Sequence, residues 1–231
     1  MLTAPQNPAD RLARVRERIT VAARSANRDP AGVTLVGVAK AQPLPRIAGA
    51  LDAGLADLGE NYLQEALAHF GALAGRAFAR HFIGALQSNK TRDAAAHFDW
   101  VHTVDRLRIA ERLSAQRPAS MAPLAVCIQV RLGDEGTKAG VAPAGLAALA
   151  AEVARLPRLS LRGLMAIPPE EAEARRQRRW FAELRGLLEG LNADGYRLDA
   201  LSMGMSGDFE AAVLEGATHL RIGTALFGDR S

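Results

Sequence analysis

The stretch Val33-Thr34-Leu35-Val36-Gly37-Val38-Ala39-Lys40-Ala41-Gln42-Pro43 decides the fold. It opens with an almost unbroken aliphatic run and closes with a proline. Such a run, β-branched and ended by a turn signal, is typical of a strand that is buried on both faces, as in a parallel sheet. We therefore expect a buried strand at residues 33–40, with Lys40 at its carboxyl end.

Helical and extended patterns alternate along the rest of the chain. The predicted strands cover residues 33–40, 56–61, 80–84, 100–104, 124–130, 159–167, 198–203 and 218–222. Amphipathic helical patterns separate them, and one more precedes the first strand, from residue 7 or 8 to about residue 27. Eight strands alternating with helices predict a single (β/α)8 barrel of the TIM type, with an extra amino-terminal helix and one domain over residues 1–231. A doubly wound open sheet is the alternative.

Composition narrows the functional classes. A formal net charge of +4 is modest for 231 residues and does not by itself favour nucleic-acid binding. The basic run at 175–179 lacks interleaved aromatic residues, so we interpret it as the solvated face of a helix. Cys127, the single cysteine, lies in an apolar run and is expected to be buried and unpaired, which favours a cytoplasmic location. We expect neither an export signal nor a membrane span.

Lysine is rare in this chain. Lys40, Lys90 and Lys138 stand against twenty-six arginines. A lysine where the background would supply arginine suggests a need for a primary amine, which forms a Schiff base whereas a guanidinium does not. The alternative is that Lys40 only extends its ammonium group from a strand end into solvent. Lys138, on the polar, glycine-rich loop at 131–140, is the second candidate.

Glycine-rich loops follow the last two predicted strands. The first is Gly204-Met205-Ser206-Gly207, and the second begins with Gly223-Thr224. Barrels of this type commonly bind phosphate with these two loops, because glycines let backbone N–H groups approach an anion and hydroxyls add donors. The residues predict a phosphate site. The alternative is that the glycines only terminate strands.

A strand-end lysine and a phosphate site at the same barrel mouth predict a site for pyridoxal 5′-phosphate (PLP). Arg221, on the eighth predicted strand, can then point inward at the pyridine nitrogen. Its permanent charge would keep that nitrogen unprotonated and would weaken the ring as an electron sink. An ion pair at the end of the barrel is the alternative role for Arg221.

Five segments of the sequence carry a resemblance to a known family. They are LVGVAK (35–40), LGENYLQE (58–65), HFIGALQSNK (81–90), LRGLM (161–165) and LSMGMSGDFEAAVLEGATHLRIGTALFG (201–228). With them, the chain resembles the pyridoxal phosphate homeostasis protein family from about residue 10 to its end. The loop at 131–135 and Ala85 depart from the family pattern.

The resemblance implies a barrel similar to the amino-terminal domain of bacterial alanine racemase, with PLP bound through Lys40. By match to the family motif, Ser206, Gly223 and Thr224 would hold the phosphate and Arg221 the pyridine nitrogen, while Asn61 would face the ring. No catalytic residue and no metal ligand is assigned. The predicted cofactor-binding residues are Lys40, Asn61, Met205, Ser206, Gly207, Arg221, Gly223 and Thr224.

Members of this family are generally regarded as cofactor carriers or regulators without an established reaction. The resemblance therefore implies a monomeric protein of intracellular PLP homeostasis, with PLP-dependent apo-enzymes as partners and no nucleic acid or membrane. A PLP-dependent, racemase-like enzyme is the alternative, and it needs a second acid/base group. Tyr62 follows the second strand, but we interpret it as packing at a helix start. A phosphate-sugar barrel enzyme without PLP also stays open.

Overall fold

Eight parallel strands form a closed barrel in the computed structural model, which describes residues 7–133 and 139–229. The strands are β1 (Thr34–Val38), β2 (Asp57–Glu60), β3 (Ala79–Phe82), β4 (Trp100–Val104), β5 (Leu124–Gln129), β6 (Leu159–Met165), β7 (Ala200–Ser202) and β8 (His219–Ile222). Each pairs with the next, and β8 returns to β1, where Thr34 pairs with His219. The predicted barrel is confirmed, and this closure excludes the open sheet.

Helices surround the barrel in the described residues. They are α1 (Pro8–Ser25), α2 (Leu44–Asp52), α3 (Leu63–Ala72), α4 (Thr91–His97), α5 (Leu107–Gln116), α6 (Pro143–Ala154), α7 (Ala174–Ala193), α8 (Phe209–Leu214) and α9 (Thr224–Phe227), with short 3-10 helices at Pro30–Gly32 and Ser88–Lys90. The predicted extra helix is α1. The Asn7 side chain caps it by accepting the Asp10 N–H at 2.8 Å, and Pro8 suits its first turn.

Seven of the eight strands are shorter than the sequence pattern predicts, and β1 and β7 differ most, by three residues each. β1 ends at Val38 because the chain turns after Ala39 through a left-handed residue, so Lys40 lies in the loop that follows the strand. β7 begins at Ala200, because the Asn192 side chain bonds both the N–H and the C=O of Leu198 and keeps that residue out of the sheet.

Two expectations about composition are confirmed. Cys127 is fully buried, and burial raises the pKa of its thiol to about 12. The arginines at 175–179 are exposed on α7, where Arg178 pairs with Glu215 at 2.6 Å. Across residues 7–133 and 139–229, the helices are too short or too polar to cross a membrane.

Candidate functional site

The loops after β1 and β8 meet at the carboxyl end of the barrel. Gly37 pairs with Ile222, and a Cβ atom built on Gly223 would lie 3.7 Å from the Cβ of Val38. Lys40 follows Val38 by two residues. The pairing of β1 with β8 therefore brings the candidate lysine and the candidate phosphate loop to the same mouth.

Lys40 is half-buried and lies against an aromatic ring. Its Nζ is 5.0 Å from the ring centroid of Tyr62, within the range of a cation–π contact. Tyr62 immediately precedes α3 and is 51% exposed. The interpretation of Tyr62 as helix-start packing is wrong, because its ring stays at the mouth beside the amine.

The backbone directly after Lys40 is strained. Ala41 has φ of 53°, in the left-handed region that residues with a Cβ avoid at a cost of roughly 1–2 kcal/mol. The Ala41 N–H is 3.4 Å from a carboxylate oxygen of Glu65 on α3. This turn sets the direction in which the chain leaves Lys40, and strain of this kind is frequent at functional sites.

The two candidate phosphate loops are joined by a hydrogen bond. Ser206 Oγ accepts the N–H of Ala225 at 3.2 Å, which leaves the hydroxyl hydrogen of Ser206 to be donated elsewhere. Gly204 has φ of 93°, and a Cβ there would lie 2.7 Å from that of Ala212, so a glycine is needed. The structure thus brings Ser206, Gly223 and an exposed Thr224 together.

Met205 and Gly207 flank Ser206 but differ in what they offer. The Met205 N–H is donated to Asp208 Oδ1 at 2.6 Å, and its side chain is exposed. Burial raises the pKa of Asp208. Gly207 is exposed, and a Cβ built there would meet no atom within 4 Å. Gly207 therefore leaves space for a ligand, whereas the backbone donor of Met205 is already engaged.

Arg221 is buried beneath these loops with uncharged partners. It donates to Ser202 Oγ at 2.7 Å and to the carbonyl oxygen of Ala166 at 2.9 Å, instead of to the carboxylate of an ion pair at the barrel end. Burial lowers the pKa of Arg221 to about 10, which leaves the group charged at neutral pH. Sequence reasoning missed Ser202, although a serine at the end of an apolar strand, inside the quoted motif, was a usable signal.

Asn61 directly follows β2 and lies against Gly84, in the loop after β3. A Cβ atom on Gly84 would overlap the Asn61 carbonyl oxygen, so Gly84 permits the close approach of the two segments. Within the described ranges, Asn61 Oδ1 is buried without a hydrogen-bond partner. An unpaired buried amide oxygen is costly, so its presence suits a donor from a bound ligand.

A cavity of about 460 Å³ lies on this side of the mouth. Asn61, Tyr62, Gly84 and Lys90 are among its lining residues, so Lys90 is also near the mouth. Lys138, the second candidate lysine, lies outside the described residues. Taken with the cationic, hydroxyl and glycine groups across the mouth, the donor set fits a planar heteroaromatic molecule that carries a phosphate.

Comparison with known proteins agrees with this geometry. Residues 11–231 match the family model described as alanine racemase, N-terminal domain. The chain is 56% identical over 222 residues to the pyridoxal phosphate homeostasis protein of Pseudomonas aeruginosa, covering 96% of this chain and 95% of that protein. The chain belongs to the pyridoxal phosphate homeostasis protein family. The protein of that name from Escherichia coli is 50% identical over 225 residues, with 96% of each chain covered.

Two solved structures, one of PipY and one of an alanine racemase, share the fold of this chain. PipY of Synechococcus elongatus with PLP bound superposes with a TM-score of 0.86 at 38% identity, covering 96% of this chain and all (100%) of that one. Alanine racemase of Clostridium difficile shares the fold, with a TM-score of 0.73 at 15% identity, and this chain covers 57% of it. Members of the family and the enzyme thus share one barrel.

Proposed function

We propose that this chain binds PLP and acts in intracellular PLP homeostasis as a carrier or regulator of the cofactor. In this proposal PLP is held as a Schiff base on Lys40. The observation that carries it is the position of Lys40, a half-buried residue at the barrel mouth where the loop after β8 meets the end of β1. PipY, a relative solved with PLP bound, supports the choice of ligand.

The proposed roles follow from what each group can donate. Ser206 donates its free hydroxyl hydrogen to the phosphate, and Gly223 and Thr224 complete the phosphate loop. Gly207 leaves room for the anion. Met205 would contribute its side chain and not a backbone N–H, because its N–H is already donated to Asp208.

Two further residues would contact the ring of the cofactor. Arg221 would donate an N–H to the ring nitrogen, and the Asn61 amide would face the ring. Bound PLP supplies an electron-withdrawing ring conjugated to an imine. Arg221 opposes protonation of the ring nitrogen, because its own proton is not released near neutral pH.

We further propose that the protein is not an enzyme. Moving a proton at a substrate carbon on both faces needs a second acid/base group besides Lys40, and no such role follows from the predicted residues. One observation favours testing the racemase-like alternative: the Tyr62 ring is exposed and lies beside Lys40 Nζ. The proposal also includes a monomeric state, a cytoplasmic location and PLP-dependent apo-enzymes as recipients.

Two measurements test this function. The purified protein, titrated with PLP, should gain an absorbance band in the near ultraviolet to violet that Lys40→Ala does not gain. A wild-type protein without such a band would contradict PLP binding through an amine. For the enzyme alternative, D- or L-alanine is added to the PLP-loaded protein in deuterated water. Rapid exchange at the α-carbon that is lost in both Lys40→Ala and Tyr62→Phe would overturn the carrier proposal.

A further inference from the structure

A continuous chain of hydrogen bonds crosses the barrel interior from Asp57 to Arg221. Asp57 Oδ1 lies 3.0 Å from His81 Nε2, and His81 Nδ1 lies 2.9 Å from His102 Nε2. His102 Nδ1 then lies 2.7 Å from Ser202 Oγ, which accepts the Arg221 N–H at 2.7 Å. Five side chains from five strands, β2, β3, β4, β7 and β8, are therefore linked in series.

This interior chain connects the two ends of the barrel. Asp57 begins β2 at the amino end and is 22% exposed, whereas His81, His102 and Ser202 are completely buried. Arg221 reaches the carbonyl oxygen just beyond the carboxyl end of β6, at the mouth. The ring of Trp100 stacks on His81 at 5.7 Å with an interplanar angle of 11°, which fixes the plane of that imidazole.

The direction of every bond follows from the two end groups. A guanidinium only donates and an ionised carboxylate only accepts, while a neutral imidazole has one donor and one acceptor nitrogen. Asp57 only accepts, so His81 donates its Nε2–H to Asp57 and accepts the Nε2–H of His102 at Nδ1. His102 Nδ1 then accepts the hydroxyl hydrogen of Ser202, and Ser202 Oγ accepts from Arg221. Burial lowers the pKa of His102 well below 6.5, in accord with a neutral ring.

We propose that Asp57, His81, His102 and Ser202 are positioning residues for Arg221, which hold the guanidinium in one orientation so that its remaining N–H hydrogens are presented at the mouth. The identity of the group that receives them, the ring nitrogen of PLP, rests on the proposed function. A carboxylate placed directly on Arg221 would compete for those hydrogens. A neutral hydroxyl oxygen, oriented through the chain by a remote carboxylate, leaves them available.

The donor–acceptor direction of the hydrogen bonds between Asp57 and Arg221 is tested first, on the protein without PLP. In wild-type protein with ¹⁵N-labelled histidine, NMR should find the ring hydrogen on Nε2 in both His81 and His102. A hydrogen on Nδ1 of either ring would overturn the proposal. This measurement does not depend on any ligand.

The positioning of Arg221 is tested with PLP and three kinds of variant. Ser202→Ala should raise the Kd for PLP about tenfold or more, the scale of a lost hydrogen bond to a charged group, and Ser202→Thr should restore affinity to within about threefold of wild type. Asp57→Asn, remote from the mouth, should weaken binding roughly two- to threefold, because only bond polarisation reaches Arg221. The matched control is Asp199→Asn. The Asp199 carboxylate pairs with Arg162 and takes no part in the hydrogen bonds from Asp57 to Arg221, so this variant should bind PLP like wild type.

The outcomes separate this inference from the proposed function. Wild-type protein that binds no PLP would overturn the proposed function, and the imidazole hydrogens would still decide the direction of the chain. Wild-type protein that binds PLP, with Ser202→Ala binding equally well, would overturn the positioning role alone. If Asp57→Asn and Asp199→Asn bind PLP with equal affinity, Asp57 does not help to position Arg221, and that part of the proposal is overturned.

Discussion

Replacing Glu60 by glutamine should flatten the dependence of stability on pH near neutrality. Glu60 ends β2 just before Asn61 and is completely buried. Its Oε1 lies 2.7 Å from His69 Nδ1, and its Oε2 has no hydrogen-bond partner in the described part of the chain. Burial is the main cause that raises the pKa of Glu60 to about 7, against an ordinary 4.5, while His69 acts in the opposite direction.

The sign and the size of the effect follow from this pKa. Because the folded protein holds a proton on Glu60 that the unfolded chain releases above pH 4.5, the contribution to stability is complete below pH 4.5 and is lost as pH rises through about 7. The interval from 4.5 to about 7, at about 1.4 kcal/mol for each pH unit, corresponds to roughly 3 kcal/mol. A glutamine has the same shape and does not ionise.

The assay is urea unfolding of wild type and Glu60→Gln at several pH values from 5 to 8, followed by tryptophan fluorescence. The free energy of unfolding of Glu60→Gln should gain on that of wild type by roughly 2–3 kcal/mol over this range. Glu111→Gln, an exposed carboxyl on α5, is the matched control and should run parallel to wild type. If Glu60→Gln also runs parallel to wild type, Glu60 does not titrate in this range and the reasoning fails.

Three further changes test the site and its supports. Ser206→Ala combined with Thr224→Val should weaken PLP retention about 10- to 100-fold for each lost bond, with the circular dichroism spectrum unchanged; equal retention would place the phosphate elsewhere. Ala41→Gly should raise the free energy of unfolding by about 0.5–1 kcal/mol by relieving the left-handed turn, and a loss would contradict the strain. Gly84→Ala should lower it by about 1–3 kcal/mol through overlap with a backbone carbonyl, whereas the control Gly186→Ala, in an open position on α7, should not.

The order of elements could be predicted from the sequence, but the strand boundaries could not, least of all the end of β1 and the start of β7. Buried parallel strands read as apolar runs and the helices between them as amphipathic stripes, so the barrel followed from the pattern. The end of β1 depends on the left-handed conformation of Ala41. Alanine rarely adopts this conformation, so the sequence does not predict it. The start of β7 depends on side-chain bonds from Asn192, which no strand pattern contains.

Some residues of the site could likewise be predicted from the sequence, and others could not. Lys40 and Arg221 could be assigned to the mouth because the order of strands in a closed barrel makes β1 and β8 neighbours. The series of hydrogen bonds that ends at Arg221 could not be predicted, since His102 and Ser202 are 100 residues apart and their contact depends on the register of the strands. Tyr62 was misread because its position before a helix suggested packing, whereas its exposure depends on how the loop crosses the mouth.

Borohydride reduction of the PLP-loaded protein, followed by peptide mapping, tests the central claim most directly. The reduction makes the lysine–pyridoxyl bond permanent, so the labelled peptide identifies the residue that holds PLP. We predict the label on Lys40, whose amine lies in the loop after β1 beside Tyr62. A label mainly on Lys90, which lines the neighbouring cavity, or on Lys138 would contradict the account.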